Sequence, residues 1–319
     1  MQDVLIIGAG PSGLAAGIAL RQAGARVTIL ERAPHPARGP GETFHPGIEA
    51  IFDQLGVGDA LRAQSLGRHA GITIDRIGVK TFQSYGQGWR GFQIRKPHLT
   101  QVLCNRYLAL DGELVMSSPA IGYQRTVGIH RVWTANAEID ARWLIDATGV
   151  GGWLDRQLAT RMIDHSPQIW LHFGYEDTAP EDTHPTLHVR PDQWHWQAPL
   201  GDGQTAWVEG RTTRILNTRT DAKIMDGTWK ASAQPAGDHV FRIGDAACRL
   251  DPRNGHGVLR ALMSGIMAAH LIRGVEDIKL PPDVAAESFN RWLQIWFEYD
   301  AEQLRRLQKA PLHLLKTTA

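Results

Sequence analysis

The stretch DVLIIGAGPSGLAAGIALRQAGARVTILER, residues 3–32, decides the fold. Residues 3–7 and 26–31 are short, mostly apolar runs of the kind that form buried strands, and residues 12–24 between them have the pattern of a packed helix. A strand, a helix and a second strand in this order form a βαβ unit, whose two strands run parallel. The sequence therefore predicts an α/β fold that begins with a parallel sheet.

The turn between the first strand and the helix is GAGPSG, residues 8–13, which matches G-x-G-x-x-G. Gly8 permits the tight turn, Gly10 lets the backbone approach a pyrophosphate, and Gly13 lets the helix pack close to the strand. The first N–H groups of the helix then face the phosphates. Glu31 ends the second strand, where a carboxylate accepts hydrogen bonds from both ribose hydroxyls and disfavours a 2′-phosphate. The expected dinucleotide is therefore NAD or FAD.

A second glycine-rich turn lies far along the chain, in RIGDAACRLDPRNGHGVLRAL, residues 242–262. FAD is longer than NAD because of its ribityl chain, and it benefits from a second contact of this kind. Asp245 supplies a carboxylate for the ribityl hydroxyls at a strand end. The turn from Pro252 to Gly257 opens a helix, whose free N–H groups stabilise negative charge at the N1–C2=O edge of a flavin. Two loops of this type fit one extended FAD.

Four segments together resemble the signatures of the FAD-dependent monooxygenases of the p-hydroxybenzoate hydroxylase type: GAGPSG with ER, GFQIRKPHLTQVL, LIDATG and GDAACRLDPRNGHG. The resemblance implies a Rossmann-like FAD-binding domain, a smaller and mostly antiparallel substrate domain, and C-terminal helices. We assign residues 1–66, 93–160 and 239–275 to a discontinuous FAD-binding domain, 67–92 and 161–238 to the substrate domain, and 276–319 to the C-terminal helical segment.

The resemblance also assigns residues to the cofactor. The aspartate of the "GD" motif contacts ribityl oxygens, the Pro-x-x-Gly-x-Gly turn lines the flavin ring, and a basic residue before the middle helix lies near the cofactor. The expected FAD-binding residues are Gly8, Gly10, Pro11, Ser12, Gly13, Glu31, Arg32, Arg95, Gly244, Asp245, Pro252, Gly255, Gly257 and Val258.

Two further segments resemble the tryptophan-halogenase-like branch of these flavoproteins. GETFHPGIEAIFDQLGV, residues 41–57, resembles its "GESLPP" stretch, and WHWQAP, residues 194–199, resembles its WxWxIP element. The second likeness makes Trp194 and Trp196 candidate walls of the substrate site, with ordinary core packing as the alternative. The position of the halogenase lysine holds His69 or Ala70 here, so halogenation is only an alternative function.

Glu42 and His45 are the candidate catalytic residues, in a Gly/Pro-rich loop after the second strand. The resemblance places this loop beside the flavin. A carboxylate and an imidazole three residues apart can share proton transfer near neutral pH. The alternative is that both are solvated or that Glu42 anchors the loop.

The composition sets the remaining limits. Of the 319 residues 43% are hydrophobic and 21% charged, and a net charge of +1 gives no field that favours nucleic acid. Cys104 and Cys248 form no CxxC pair, and no signal peptide precedes the first strand. Gly, Arg or His interrupt each apolar stretch before it reaches the ~20 residues that span a membrane. We expect a cytoplasmic protein with no membrane span and no metal site.

The resemblance implies a flavin-dependent oxygenase, in which an FAD hydroperoxide formed with O2 hydroxylates an electron-rich aromatic substrate. That substrate is an indole or phenol, free or as a tryptophan of a partner protein. The arginine that usually follows the DATG turn is replaced by Gly151-Gly152-Trp153, so the electrons are expected from free reduced flavin or from a separate flavin reductase, not from a built-in NADPH step. The alternatives are a flavin-dependent halogenase, an FAD-dependent reductase or dehydrogenase, and a flavoprotein maturation factor for a partner polypeptide.

Overall fold

The computed structural model describes residues 1–35, 42–178, 184–214 and 222–309. The described strands are β1 (Gln2–Ile7), β2 (Val27–Leu30), β3 (Thr43–Phe44), β4 (Gly67–His69), β5 (Gly71–Arg76), β6 (Val79–Ser84), β7 (Gly91–Gln93), β8 (Glu113–Val115), β9 (Gly122–Thr126), β10 (Ile129–Trp133), β11 (Glu138–Asp146), β12 (Met162–Asp164), β13 (Trp170–Glu176), β14 (Thr186–Val189), β15 (Gln193–Pro199), β16 (Thr205–Arg211), β17 (Lys223–Asp226), β18 (Lys230–Ser232), β19 (Ala236–Gly237), β20 (Val240–Arg242) and β21 (Cys248–Arg249). The helices are α1 (Pro11–Gln22), α2 (Ile48–Gln54), α3 (Gly58–Ala63), α4 (Lys96–Ala109), α5 (Trp153–Leu158), α6 (Gly257–Ile278) and α7 (Pro282–Lys309).

The main sheet has eight strands, and its central path runs β19-β20-β11-β1-β2-β8. β1 pairs in parallel with β2 on one side and β11 on the other, while β8 and β20 extend the parallel sheet outwards. β10 and β9 continue from β11 as antiparallel strands. The predicted βαβ unit is confirmed, and the carboxyl ends of β1, β2 and β20 meet at one edge of the sheet.

Helix α6 lies against α1 because small residues let the two backbones approach. A Cβ on Gly265 would lie 2.3 Å from the Ser12 carbonyl oxygen. By length and composition α6 is long and apolar enough to cross a membrane, although such helices also form the cores of other proteins. The expected interruptions are present, since Arg260, Gly265, His270 and Arg273 divide the apolar residues, although the helix itself is continuous over 22 residues. The absence of a membrane span stays a prediction.

A second sheet of seven strands, in the order β17-β13-β16-β15-β14-β5-β6, stands over the carboxyl edge of the main sheet. Its pairs are antiparallel except β14 with β5. Two small sheets, β3-β7-β4 and β12-β18-β21, are built from segments that precede, follow or lie between its strands in the sequence. The predicted antiparallel layer is therefore present, whereas the domain boundaries assigned from the sequence stay a prediction.

Helix α7 packs under both sheets. Phe289 and Leu293 belong to the hydrophobic core around α1, and Phe297 and Leu304, further along the helix, belong to the core beneath the seven-stranded sheet. The helix therefore ties the two layers together. The predicted C-terminal helical segment is α7 with the end of α6, and residues 310–319 of that assignment lie outside the described chain.

Candidate functional site

A cavity of about 1030 Å³ lies between the carboxyl edge of the main sheet and the seven-stranded sheet. Its walls include the turn after β1, the end of β2, the first residue of α4 and the turn before α6. These segments are far apart in the sequence. The cavity is at the upper end of the size range of ligand pockets, as an extended ligand requires.

The glycines of the GAGPSG turn have separate structural roles. Gly8 has φ +109°, and a Cβ there would lie 2.5 Å from the Ala147 carbonyl oxygen. A Cβ on Gly13 would lie 2.0 Å from the carbonyl oxygen of Gly8, so this position brings the helix against the strand. Gly10 lines the cavity, and no described atom lies within 4 Å of the point where its Cβ would be. A phosphate can therefore approach the backbone at Gly10.

Glu31 is held rigidly at the end of β2. Its Oε2 accepts a hydrogen bond from the Ala9 backbone N–H at 2.8 Å, and its Oε1 accepts one from the Ala33 N–H at 2.9 Å. The carboxylate and the neighbouring Arg32 both line the cavity. Free lone pairs on the two oxygens remain available for ribose hydroxyls, as the sequence predicts.

Asp245 opens onto the same cavity from the end of β20. The preceding residue Gly244 has φ +58°, its N–H donates to Ser264 Oγ at 2.9 Å, and a Cβ there would lie 2.7 Å from Ser12 Oγ. The Asp245 side chain is exposed to the cavity, while protein surrounds it on the other sides. Burial raises the pKa of its carboxyl, and the charges of Lys96 and Arg249 lower it. A carboxyl that faces a cavity in this way is a suitable partner for the hydroxyls of a bound molecule.

The turn before α6 forms the far wall, through Pro252, Gly255, Gly257 and Val258. Gly255 has φ +66°, which lets the chain reverse into the helix. The N–H groups that begin α6 have no carbonyl partner earlier in the helix, and its first residues line the cavity. The contact of this turn with the edge of a flavin ring stays a prediction.

Buried ion pairs that the sequence analysis missed hold this turn in place. Asp251 accepts hydrogen bonds from Arg253 Nε at 2.8 Å and Nη2 at 2.7 Å, and from Trp229 Nε1 at 2.9 Å. Asp300 of α7 accepts from Asn254 and His256, with Arg260 also in contact. Asp251 and Arg253 pair within the turn, whereas Trp229 and Asp300 come from distant segments.

The structure places Arg95 outside the described walls of the cavity. Its guanidinium pairs with Asp202 at 2.5 Å and donates to Gln204 Oε1 at 2.7 Å. Arg95 is the N-cap of α4, with φ −64° and ψ 131°, and the next residue, Lys96, points to the cavity instead. Of the two adjacent basic residues, only Lys96 lines the cavity, and the predicted contact of Arg95 with the cofactor stays a prediction.

Glu42 and His45 differ in their location relative to the cavity. Glu42 is 4% exposed, lines the cavity and accepts a hydrogen bond from the Tyr175 hydroxyl. The His45 ring lies behind the wall, edge-on to Tyr85 and His256 with centroids 5.3 Å away in each case. Burial and the charge of His256 lower the His45 pKa, which favours the neutral ring. The predicted cooperation of the two residues in proton transfer therefore loses its geometric basis.

The two tryptophans of WHWQAP point to the same face of β15, but only Trp196 reaches the cavity. Trp194 is 4% exposed, lies in the core beneath the sheet and packs below the Arg253 guanidinium. A Cβ on Gly210 would lie 2.2 Å from the Trp194 ring, so the neighbouring strand leaves room for it. Phe173, which the sequence analysis did not single out, lines the cavity beside Trp196.

Comparison with known proteins identifies the cofactor. Residues 1–107 match the family model described as an FAD binding domain. The predicted resemblance of the chain to FAD-dependent monooxygenases and halogenases is confirmed. It is an FAD-dependent oxidoreductase, and the α/β fold predicted from its sequence is confirmed.

Its relatives carry out different flavin chemistry. A menaquinone reductase of Mycobacterium tuberculosis is 26% identical over 92% of this chain and 82% of the reductase. A tryptophan 2-halogenase of Chondromyces crocatus is 24% identical over 91% of this chain and 65% of the halogenase. The solved structure of a peptidyl tryptophan dihydroxylase superposes with a TM-score of 0.75 at 19% identity, covering 98% of this chain and 76% of the dihydroxylase. This last likeness shows a shared fold.

Replacing Asp245 with alanine is expected to weaken FAD binding by roughly tenfold, because one charged acceptor for the ribityl chain is removed. The folded apoprotein should keep its thermal midpoint, since no described residue hydrogen bonds to this carboxyl. Fluorescence titration of apoprotein with FAD measures the change. The exposed Asp192→Ala is the matched control, and equal FAD affinity in both variants would contradict the assignment.

Proposed function

We propose that this protein is a flavin-dependent oxygenase that hydroxylates an electron-rich aromatic ring. One observation carries the proposal: the cavity that begins at the phosphate-binding turn continues past Asp245 to an apolar, aromatic face of the seven-stranded sheet. A cofactor held by the first part therefore presents its reactive end to a substrate held by the second. Bound FAD supplies two-electron redox chemistry and, once reduced, activation of O2.

The substrate wall is built from neighbouring strands whose side chains share a face. Trp196 of β15 lies opposite Val208 of β16, which lies opposite Phe173 of β13. Leu171 lies opposite Met225 in the same way, and all five residues line the cavity. Flat apolar walls of this kind stack an aromatic ring and exclude water from the reacting atoms.

Glu42 is the proposed general base. Its carboxylate faces the cavity, and the Tyr175 hydroxyl donates to Oε1, which fixes the orientation of the group. A carboxylate in this position accepts the proton of a phenol hydroxyl or indole N–H. Loss of that proton raises the electron density of the ring and favours attack by an oxygen electrophile.

The residues at and near the expected position of the halogenase lysine lie away from the cavity. His69 is 2% exposed and packs against Gly91, while Lys80 lies on the edge strand β6, whose six residues are all exposed. Neither residue is among the described cavity walls. The positions considered for the halogenase lysine therefore supply no lysine to the cavity, whereas Lys96 and Lys223, at other positions, line it.

A quinone reductase is the second candidate, because the menaquinone reductase relative matches 92% of the chain. An oxygenase and a reductase differ in what happens when reduced holoenzyme meets O2. Rapid mixing should reveal a transient absorbance that is distinct from both oxidised and reduced flavin, and ¹⁸O2 should give an aromatic product that carries one heavy oxygen. Slow reoxidation without that transient, combined with fast anaerobic reduction of menadione, would instead establish the reductase.

Replacing Glu42 with glutamine is expected to lower the rate of ring hydroxylation on the order of a hundredfold, because general base catalysis is lost. FAD content should remain that of the wild type. Product formation under single-turnover conditions, measured beside reoxidation of the flavin, separates loss of hydroxylation from loss of flavin reactivity. The control is Glu49→Gln. Glu49 lies on α2, and its partly exposed carboxylate pairs with Arg68. An unchanged rate in Glu42→Gln would remove Glu42 from the mechanism.

The remaining assignments are part of the same proposal. The ring is free or protein-borne, electrons come from a separate flavin reductase, and the protein works in the cytoplasm. Addition of NADPH to the purified protein alone tests the electron donor, since rapid flavin reduction would show that no separate reductase is needed.

A further inference from the structure

One cation of the cavity wall, close enough to Asp245 for its charge to lower the pKa of that carboxyl, has unused hydrogen-bonding capacity. Arg249 lines the cavity, its side chain is 13% exposed, and its Nη2 donates to Asp226 Oδ2 at 3.0 Å. Its buried Nε–H has no hydrogen-bond partner among the residues that the structure describes. A guanidinium offers five N–H donors, and leaving charged donors unsatisfied in the interior is costly. The exposed part of the Arg249 side chain leaves Nη N–H groups that an acceptor in the cavity can reach.

The ion pair with Asp226 does not explain why residue 249 is an arginine. The Asp226 Oδ1 accepts hydrogen bonds from the backbone N–H of Thr228 at 2.9 Å and from its hydroxyl at 2.5 Å. Lys230 Nζ lies 3.4 Å from Oδ2, so the carboxylate has a second cation. These groups, together with Arg249, keep the pKa of Asp226 low despite partial burial, which raises it. Arg249 is therefore not required to satisfy Asp226.

The position of Arg249 is fixed by the small sheet. It lies on β21, where it pairs with Lys230 of β18, and the following Leu250 also lines the cavity. Asp226 is opposite Trp170, one position from the Met225–Leu171 pair of the substrate wall. The guanidinium is thus a charged group at the border of an apolar wall.

We propose that Arg249 binds a carboxylate on the aromatic substrate and so selects aromatic acids over neutral phenols and indoles. This inference rests on the proposed function, because it assumes that the substrate ring stacks on the Trp196 wall. Carboxylates pair with guanidinium groups through short, charge-assisted hydrogen bonds, often two at a time. Such a pair also fixes the orientation of the ring within its plane.

Matched acids and amides test the proposal: indole-3-acetate with indole-3-acetamide, and 4-hydroxyphenylacetate with its amide. Their Kd values for the oxidised holoenzyme come from the perturbation of flavin absorbance and from calorimetry. The acid of each pair should bind at least about tenfold more tightly than the amide. Arg249→Gln should weaken acid binding by at least about tenfold and leave amide binding within about twofold.

Two further variants make the test specific. Arg211→Gln removes an arginine of β16 that pairs with Glu209. Because Arg211 is not among the described cavity walls, this variant should keep the wild-type preference for acids over amides. Arg249→Lys retains the charge without the paired donors and should keep part of the preference. FAD content and thermal midpoint are measured for each variant. If Arg249→Gln does not fold, the lysine variant and the wild-type acid–amide ratio decide the result.

The inference is overturned if acids and amides bind equally, if no acid binds, or if Arg249→Gln keeps the preference. Neutral aromatics that are bound and hydroxylated without a preference for acids would refute the role of Arg249 and leave the oxygenase intact. Arg249-dependent acid binding without incorporation of oxygen from ¹⁸O2 would refute the oxygenase and leave the binding site intact. Failure of the two proposals is therefore distinguishable.

Discussion

Replacing Gly10 with alanine is expected to lower FAD affinity on the order of a hundredfold while the fold is kept. The Gly10 backbone, with φ −73° and ψ 177°, is accessible to alanine, and no described atom lies within 4 Å of its Cβ position. The added methyl group therefore projects into the cavity, where the pyrophosphate must approach the backbone. Stability should change by less than about 1 kcal/mol, the size of an N-cap or glycine effect.

The matched control is Gly13→Ala, three residues further in the same turn. Its Cβ would lie 2.0 Å from the carbonyl oxygen of Gly8 and 3.1 Å from Ala147 Cβ, so the helix must move from the strand. Such overpacking costs about 3 kcal/mol, and the loss of stability precedes any loss of FAD. Thermal unfolding of the apoproteins and FAD titration separate the two variants. Normal FAD binding by Gly10→Ala would place the pyrophosphate elsewhere.

Asp300→Ala is expected to destabilise the protein by about 3–5 kcal/mol, although Asp300 belongs to neither sequence motif. Asp300 is fully buried, accepts hydrogen bonds from His256 at 3.0 Å and Asn254 at 2.9 Å, and contacts Arg260. Its removal leaves a buried guanidinium without its carboxylate, and it frees the turn that begins α6. Denaturant unfolding measures the loss, and retained holoenzyme should show weaker FAD binding.

Glu302→Ala is the control for this prediction, two positions further along α7. Glu302 is half exposed and pairs with Arg306 at 3.0 Å on the same helix, so its loss should cost no more than about 0.5 kcal/mol. Similar stability of the two variants would show that the buried network around Asp300 contributes little. A large difference would show that α7 supports the flavin-facing turn.

Sequence motifs predicted the parts of the site that depend on local backbone shape. The turn at residues 8–13, Glu31 and the turn at residues 252–257 all line one cavity, as two loops that serve a single FAD require. Each depends on glycine φ values or on a residue at a strand end, which a short stretch of sequence specifies. The FAD-binding roles of the individual residues stay predictions.

Motifs were less informative where side-chain direction decides the outcome. Arg95 and Lys96 are adjacent, yet the N-cap residue pairs with Asp202 and the first helical residue lines the cavity. Glu42 and His45 are three residues apart, yet only Glu42 faces the cavity. Trp194 and Trp196 share a face of one strand, yet Trp194 is buried in the core beneath the sheet and only Trp196 lines the cavity.

The sequence by itself determined the βαβ unit, the phosphate-binding turn and the second cofactor loop, because these features depend on residues close together in the chain. Only the tertiary structure brought Arg249 and Asp226 to the end of the substrate wall, and Asp300 of α7 beneath the turn at residues 252–257. The physical reason is that charged pairs of this kind form between segments that meet only after the sheets and helices pack. Their partners follow no periodic pattern along the chain.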